Sequence, residues 1–315
     1  MLPPPCYGAA AAAAKVGTAP VFARGQRRRL NIVAIAMSLF VPWLLFAGVF
    51  SIMSFSMHYK SPASAFALVA LGLLVVAASG AFAGDALRQK AAGNPSREPS
   101  WWFFICFTSL LAWVSAVALG DMNFSSNLQP FYDVLNLNYY AGVDPLKLQG
   151  QQLMDAGRII FTENARLDLS RSMGFKNSEI YCVAPVTVVS KNVSHADLMT
   201  YDFWAVGMNC CSGNAKAADF SCGDYNNPRA HAGLRLMRDD QRAFFRLAVQ
   251  QAEAAYNIKA VHPLFLHWMQ DPMAEVNSYQ DNGYRYYLIG IWSHFGIQLF
   301  LVVCATLAFS KMGSY

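Results

Sequence analysis

Residues Leu30–Phe50 read LNIVAIAMSLFVPWLLFAGVF, a run without Asp, Glu, Lys or Arg. A helix needs about 20 mainly apolar residues to cross roughly 30 Å of hydrocarbon. This run is long enough, and Pro42 inside it predicts a kink. The charge-free stretch around it extends over Leu30–Met57, and Ser61–Gly84, Pro99–Gly120 and Tyr286–Ser310 are three more. Trp101 and Trp102 open the third, and Tyr284, Tyr286 and Tyr287 the fourth, as an interfacial aromatic belt requires. Only 14% of the 315 residues are charged and mean hydropathy is +0.27. Soluble domains carry about 25% charged residues. Composition thus excludes an ordinary soluble enzyme and a disordered chain.

The expected fold class is an all-α integral membrane protein. Four transmembrane helices are placed at 30–52, 63–84, 101–120 and 286–309. One large extracytoplasmic domain of mixed helical and irregular structure, 121–285, separates the last two. Residues 1–29 read as a disordered tail, 85–98 as a loop and 310–315 as a second tail. In the second span Gly72, Ala77, Ala78, Gly80 and Ala81 are small enough for close helix contact.

Charge sets the threading. Asp121–Arg285 holds 14 basic and 17 acidic residues, leaving 10 basic and 2 acidic elsewhere. Nine of those ten basics fall in the two tails or the 85–98 loop, with Arg24, Arg27, Arg28 and Arg29 beside the first span. The positive-inside rule puts both termini in the cytoplasm, of a plasma membrane or endomembrane protein. The basic cluster is too short to suggest nucleic acid. In MLPPPCYGAAAAAAKVGTAP the alanine run precedes the basic cluster, the reverse of a secretory signal, so the first span reads as an uncleaved anchor; a transit peptide is the competing view.

Within 121–285, Leu148–Phe161 reads as a helix with Leu153, Gly157 and Ile160 on one face. Ile180–Val189 is β-branched and reads as a strand or tether. Leu234–Ile258 reads as an amphipathic helix with Phe244, Ala248, Ala252 and Ala255 in one stripe and Phe245, Val249 and Tyr256 beside it. LFLHWM at 264–269 is a short apolar piece bracketed by proline turns. Cys106 and Cys304 fall in spans and Cys6 in the tail. The other four cysteines, Cys182, Cys210, Cys211 and Cys222, share this one loop and read as two disulfides. A vicinal Cys210–Cys211 bond is awkward. Either Cys182–Cys210 with Cys211–Cys222, or the crossed pairing, then remains. The C-x10-C separation lacks zinc spacing. Asn123-Phe-Ser and Asn192-Val-Ser are glycosylation sequons, and Asn192 is farther from the membrane exit.

Two close spans, a third, a large outer loop with a Cys-Cys pair and a last span resemble the tetraspanin layout. Cys210-Cys211-Ser212-Gly213 is similar to that family's Cys-Cys-Gly. A serine intervenes, and Cys182 precedes the pair where the family places its partner cysteines after it. The resemblance implies an organiser of other membrane proteins with a disulfide-held loop. YDFWAVGMNCC (201–211) and RDDQRAFFRLAVQQAEAAY (238–256) also resemble multi-pass proteins of single-celled algae, a likeness that implies no activity.

No nucleophile elbow, zinc-protease, phosphate-loop or dinucleotide motif occurs. Four loop histidines stand out, His195, His231, His262 and His267, without ligand spacing. In the last span His294 and Gln298 share a face at i, i+4, where polar groups serve helix packing. The expected function is a membrane scaffold whose 121–285 loop binds other membrane proteins, with the bilayer as its second partner and homo-oligomers compatible. No catalytic residue, metal or cofactor is expected. The alternative is a membrane enzyme or cofactor-binding subunit using the loop histidines and His294.

Overall fold

A computed structural model describes residues 32–92, 100–189, 198–213 and 219–312. It contains four helices long and apolar enough to cross a membrane, which fits an integral membrane protein. They are α1 (Ile32–Ser54), α3 (Pro62–Ala91), α4 (Ser100–Asn123) and α7 (Pro272–Met312), and the short α2 (Ser56–Lys60) joins the first two. A single π-turn, Phe124–Leu128, carries α4 into α5 (Gln129–Leu135). Leu44, Leu71, Leu74, Phe107 and Phe300 on these helices are exposed, as side chains facing lipid would be.

The described residues divide into two compact units. The first holds α1 up to Leu45, Leu73–Ala112 and α7 from Trp292. In it Gln298, 2% exposed, donates to the Ser38 carbonyl at 2.6 Å. That bond satisfies an amide that lipid cannot. His294, one turn earlier, is half-buried. Trp43 meets Phe295 and Trp101 meets Phe309 edge-on. The expected small-residue positions of the second span need correction in part. Ala77, Ala78 and Ala81 are exposed, whereas Gly72 and Gly80 are half-buried and a Cβ at Gly80 would stand 3.4 Å from the Cys106 sulfur; Ser79, Ala83 and Ala86 are buried.

The second unit, Phe46–Gly72 and Trp113–Ile291, contains the remaining helix ends and the whole sheet. Trp113 donates to the Val69 carbonyl at 2.8 Å, and buried Asn123 donates to Gly283. Gly290 lets α7 approach α1 closely, since a Cβ there would overlap the Phe50 ring. Gly290→Leu should cost about 1–3 kcal/mol through overpacking. Thermal unfolding in detergent should show a lower midpoint for it. Gly296→Leu, where a Cβ meets nothing within 4 Å, should leave the midpoint unchanged.

The all-α expectation is wrong for 121–285. That segment folds around an eight-stranded mixed sheet. The strands are β1 (Asn138–Val143), β2 (Ala156–Phe161), β3 (Ala165–Leu167), β4 (Met173–Asn177), β5 (Glu179–Val188), β6 (Phe203–Met208), β7 (Ala232–Arg235) and β8 (Leu264–Met269). Their order is β1-β2-β7-β8-β6-β5-β3, with β4 also on β5. β1–β2 and β6–β8 are parallel; the other pairs are antiparallel. The expected helix Leu148–Phe161 is instead a 3-10 turn, Gly150–Leu153, followed by β2. The expected helix from Leu234 begins only at α6 (Asp239–Tyr256), because Leu234 belongs to β7. The strand expected at Ile180–Val189 is β5.

Period-2 alternation splits the central strands between two cores. Tyr181, Val183, Trp204, Val206 and Phe265 face α6, which buries Phe245, Ala248, Val249 and Ala252 on them. Cys182, Ala184, Phe203, Ala205, Leu266 and Trp268 face the other core, closed by Leu153, Phe220 and Ala230. Burying a side chain the size of Phe245 contributes roughly 1.5–3 kcal/mol. Asp239 and Asp240 in the first turn of α6 favour the positive end of its dipole, and Asn257 at φ 51° ends it. Phe131 and Val134 of α5 and Val276 of α7 pack with Leu234 of β7 in a third, smaller core.

Candidate ligand-binding site

Asp202 begins the site. It precedes β6 and is 2% exposed. A carboxylate so buried must be hydrogen-bonded or unfold its surroundings. Its Oδ1 accepts the backbone N–H groups of Val261 at 3.0 Å and His262 at 3.1 Å. Its Oδ2 accepts the Gly150 N–H at 3.0 Å and the Thr200 hydroxyl at 3.2 Å. Its own carbonyl accepts from Leu264 N–H at 2.6 Å. Glu253 on α6 accepts the Ala260 N–H at 2.7 Å. The segment 260–264 is thus fixed at four backbone N–H groups, the last of them on Leu264 where β8 begins.

That fixed segment forms one wall of a cavity of about 570 Å³. Asp239, Arg242, Ala243 and Arg246 of α6 form the opposite wall, and Phe265, Pro263, Val261 and Met154 supply apolar surface. Helical spacing puts residues 239, 242, 243 and 246 on one face of α6. Arg242 pairs with Asp239 at 3.0 Å. Arg235 backs the cavity, donating to the Met154 carbonyl at 2.7 Å. Burial, and then the charge of Arg242, holds its pKa below the usual guanidinium value.

Two other cavities flank the same helix. One of about 410 Å³ is lined by Gly207, Cys210, Cys222, Gln241, Phe245 and His267, among others. Burial holds the His267 pKa below that of a free imidazole, so the ring is neutral at physiological pH. Another of about 600 Å³ is lined by Lys176, Gln251, Ala254 and Ala255 along with β4.

The four loop cysteines come together. The bonds are Cys182–Cys211, with Cα atoms 5.9 Å apart, and Cys210–Cys222, at 5.3 Å. This is the crossed pairing of the two that spacing left open. β5 supplies Cys182, and the turn after β6 supplies the vicinal pair. A Cβ at Gly207 would collide with the Cys210 and Cys222 sulfurs, so glycine there makes room for the bridge. Among the described residues, the group of three or more ligand-type side chains with donor atoms within 4.8 Å is Cys182, Cys210 and Cys222. The disulfides occupy those sulfurs.

The remaining expected residues are dispersed. His262 lines the 570 Å³ cavity and His267 the 410 Å³ cavity, while His231 lines neither. His231 Nδ1 lies 2.6 Å from the Arg229 carbonyl. Asn123 is 5% exposed; its Nδ2 donates to the Gly283 carbonyl and its Oδ1 accepts from the Asn127 amide. Asn192 and His195 lie outside the described residues. The sequence reading missed Asp202 and the arginine rim. A lone acid in the aromatic and apolar run YDFWAV was the available signal, because such a charge must find donors inside the fold. Compared with known proteins, the chain matches no protein-family model, no curated protein and no solved structure.

Proposed function

We propose that this is a multi-pass membrane scaffold with both termini in the cytoplasm, whose 121–285 domain binds partner membrane proteins outside it. The observation that supports this reading most is the mounting of the domain. α5 and the first turns of α7 are continuous with membrane-length helices, and Phe131, Val134 and Val276 seat them against Leu234 of the sheet. A sheet joined to its own helix ends through a packed core keeps its surface fixed to those ends, where a flexible linker would let it tumble. Two disulfides tie that surface together, which supports an oxidising compartment for it. The plasma membrane and endomembranes both offer such a compartment.

The test is cross-linking in intact cells with a membrane-impermeant reagent, followed by peptide mapping. One recurrent set of membrane proteins cross-linked to residues within 121–285 is the expected result. A chain that cross-links to nothing, at expression levels matching its native abundance, contradicts the scaffold.

A further inference from the structure

The cavity between α6 and the 261–263 segment is built like a small-molecule site. Its volume of about 570 Å³ falls within the roughly 300–1,000 Å³ of pockets that enclose small ligands. Most of its surface is apolar, from Phe265, Pro263, Val261, Ala243 and Met154, with a few charged groups at one side. Ligand pockets share that make-up. Its wall is already ordered, because Asp202 and Glu253 hold the backbone of residues 260–262. A ligand therefore meets a preformed surface and loses little affinity to ordering it.

The charges decide the sign of the ligand. The one carboxylate in the lining, Asp239, is engaged by Arg242. Arg246, one turn further along α6, forms no hydrogen bond or ion pair among the described residues. Arg235 adds a third guanidinium behind the Met154 wall. The domain as a whole carries 14 basic against 17 acidic residues, so this basic edge opposes the average charge around it.

We propose that this cavity binds a small organic carboxylate carried on an aromatic or branched apolar group. The Arg246 guanidinium takes the carboxylate through paired N–H donors, the geometry in which arginine recognises that group best. The apolar body lies on Phe265, Pro263 and Val261, and the methyl of Ala243 leaves the space it fills. This site is independent of the scaffold reading, since it needs no partner protein.

Calorimetry on the full chain in non-ionic detergent tests it with three probes. 3-Phenylpropionate carries both features, 3-phenylpropylamine reverses the charge, and inorganic phosphate lacks the apolar body. Saturable binding of one 3-phenylpropionate per chain at or below about millimolar concentration is expected, with both other probes at least roughly ten-fold weaker. Arg246→Glu should weaken 3-phenylpropionate by at least about ten-fold with an unchanged melting temperature. Arg246→Gln should fall between, and Ala243→Trp should abolish binding by filling the cavity. Absence of saturable binding overturns the proposal. So do equal binding of the amine, phosphate binding as tight as the carboxylate's, or an Arg246→Gln protein that folds and binds as the wild type does.

Discussion

Asp202→Ala is expected to lower the melting temperature of the purified protein by roughly 10 °C. The substitution removes the acceptor of three backbone N–H groups and one hydroxyl. A buried donor left without a partner costs about 1–3 kcal/mol. The Gly150 N–H is fully buried, whereas the Val261 and His262 donors lie nearer the surface and recover some water. The total is then on the order of 3–5 kcal/mol, and a domain of this size loses about 2–4 °C per kcal/mol. Asp202→Asn keeps one acceptor oxygen but turns an amide NH₂ toward the donors on the other side. It should show about half the loss. Intrinsic tryptophan fluorescence on heating measures both, since Trp204 and Trp268 lie in the two cores of this sheet. A fall of less than about 2 °C for the alanine variant would mean that Asp202 does not hold the 261–263 segment.

Removing the longer disulfide should destabilise the domain more than removing the shorter one. Cys182–Cys211 closes 29 residues and Cys210–Cys222 closes 12. Chain entropy values these at about 3.6 and about 2.8 kcal/mol. Cys182 is also fully buried in the sheet core, so its replacement disturbs packing as well. Bonds are best removed as pairs. A single serine leaves a thiol in a cluster whose sulfurs lie within 4.8 Å of one another, where exchange can rewire the survivor. Cys182→Ala with Cys211→Ala should therefore unfold at lower urea than Cys210→Ala with Cys222→Ala. Both should be retained inside the cell more than the wild type. Peptide mapping without reductant should recover Cys182 linked to Cys211. Recovery of Cys182 linked to Cys210 would refute the crossed pairing.

The helices and the sheet differ in how far they can be read ahead. A span of some 20 residues without charge has few soluble interpretations, and all four such runs are helices long enough to cross. Their ends were harder to read. Asp121 is exposed on α4, and Arg285 and Asp281 sit within α7. Charges end the apolar stretch there without ending the helix. The strands were mostly illegible because the sheet is covered on both faces. In β6 and β8 residues of both parities are buried, so FWAVGM and LFLHWM show no alternation, and a short apolar run cannot be told from a helix segment by period. β7 offered only AGLR, directly ahead of a strongly amphipathic helix. The apolar period of α6 was visible, and the residues it buries, Phe245, Ala248, Val249 and Ala252, follow helical spacing. The cavity beside it was not, because its second wall comes from residues 261–263 and is held by Asp202, some sixty positions earlier.

We propose a scaffold that holds the 121–285 domain away from the cytoplasm on four spans. Epitope tags at Met1, at Tyr315 and beside Lys216, read by antibody before and after selective permeabilisation of the plasma membrane, test it most directly. Both terminal tags are expected to be reached from the cytosol, and the Lys216 tag only from the other side of the membrane. Termini on opposite sides, or a Lys216 tag open to the cytosol, would contradict it.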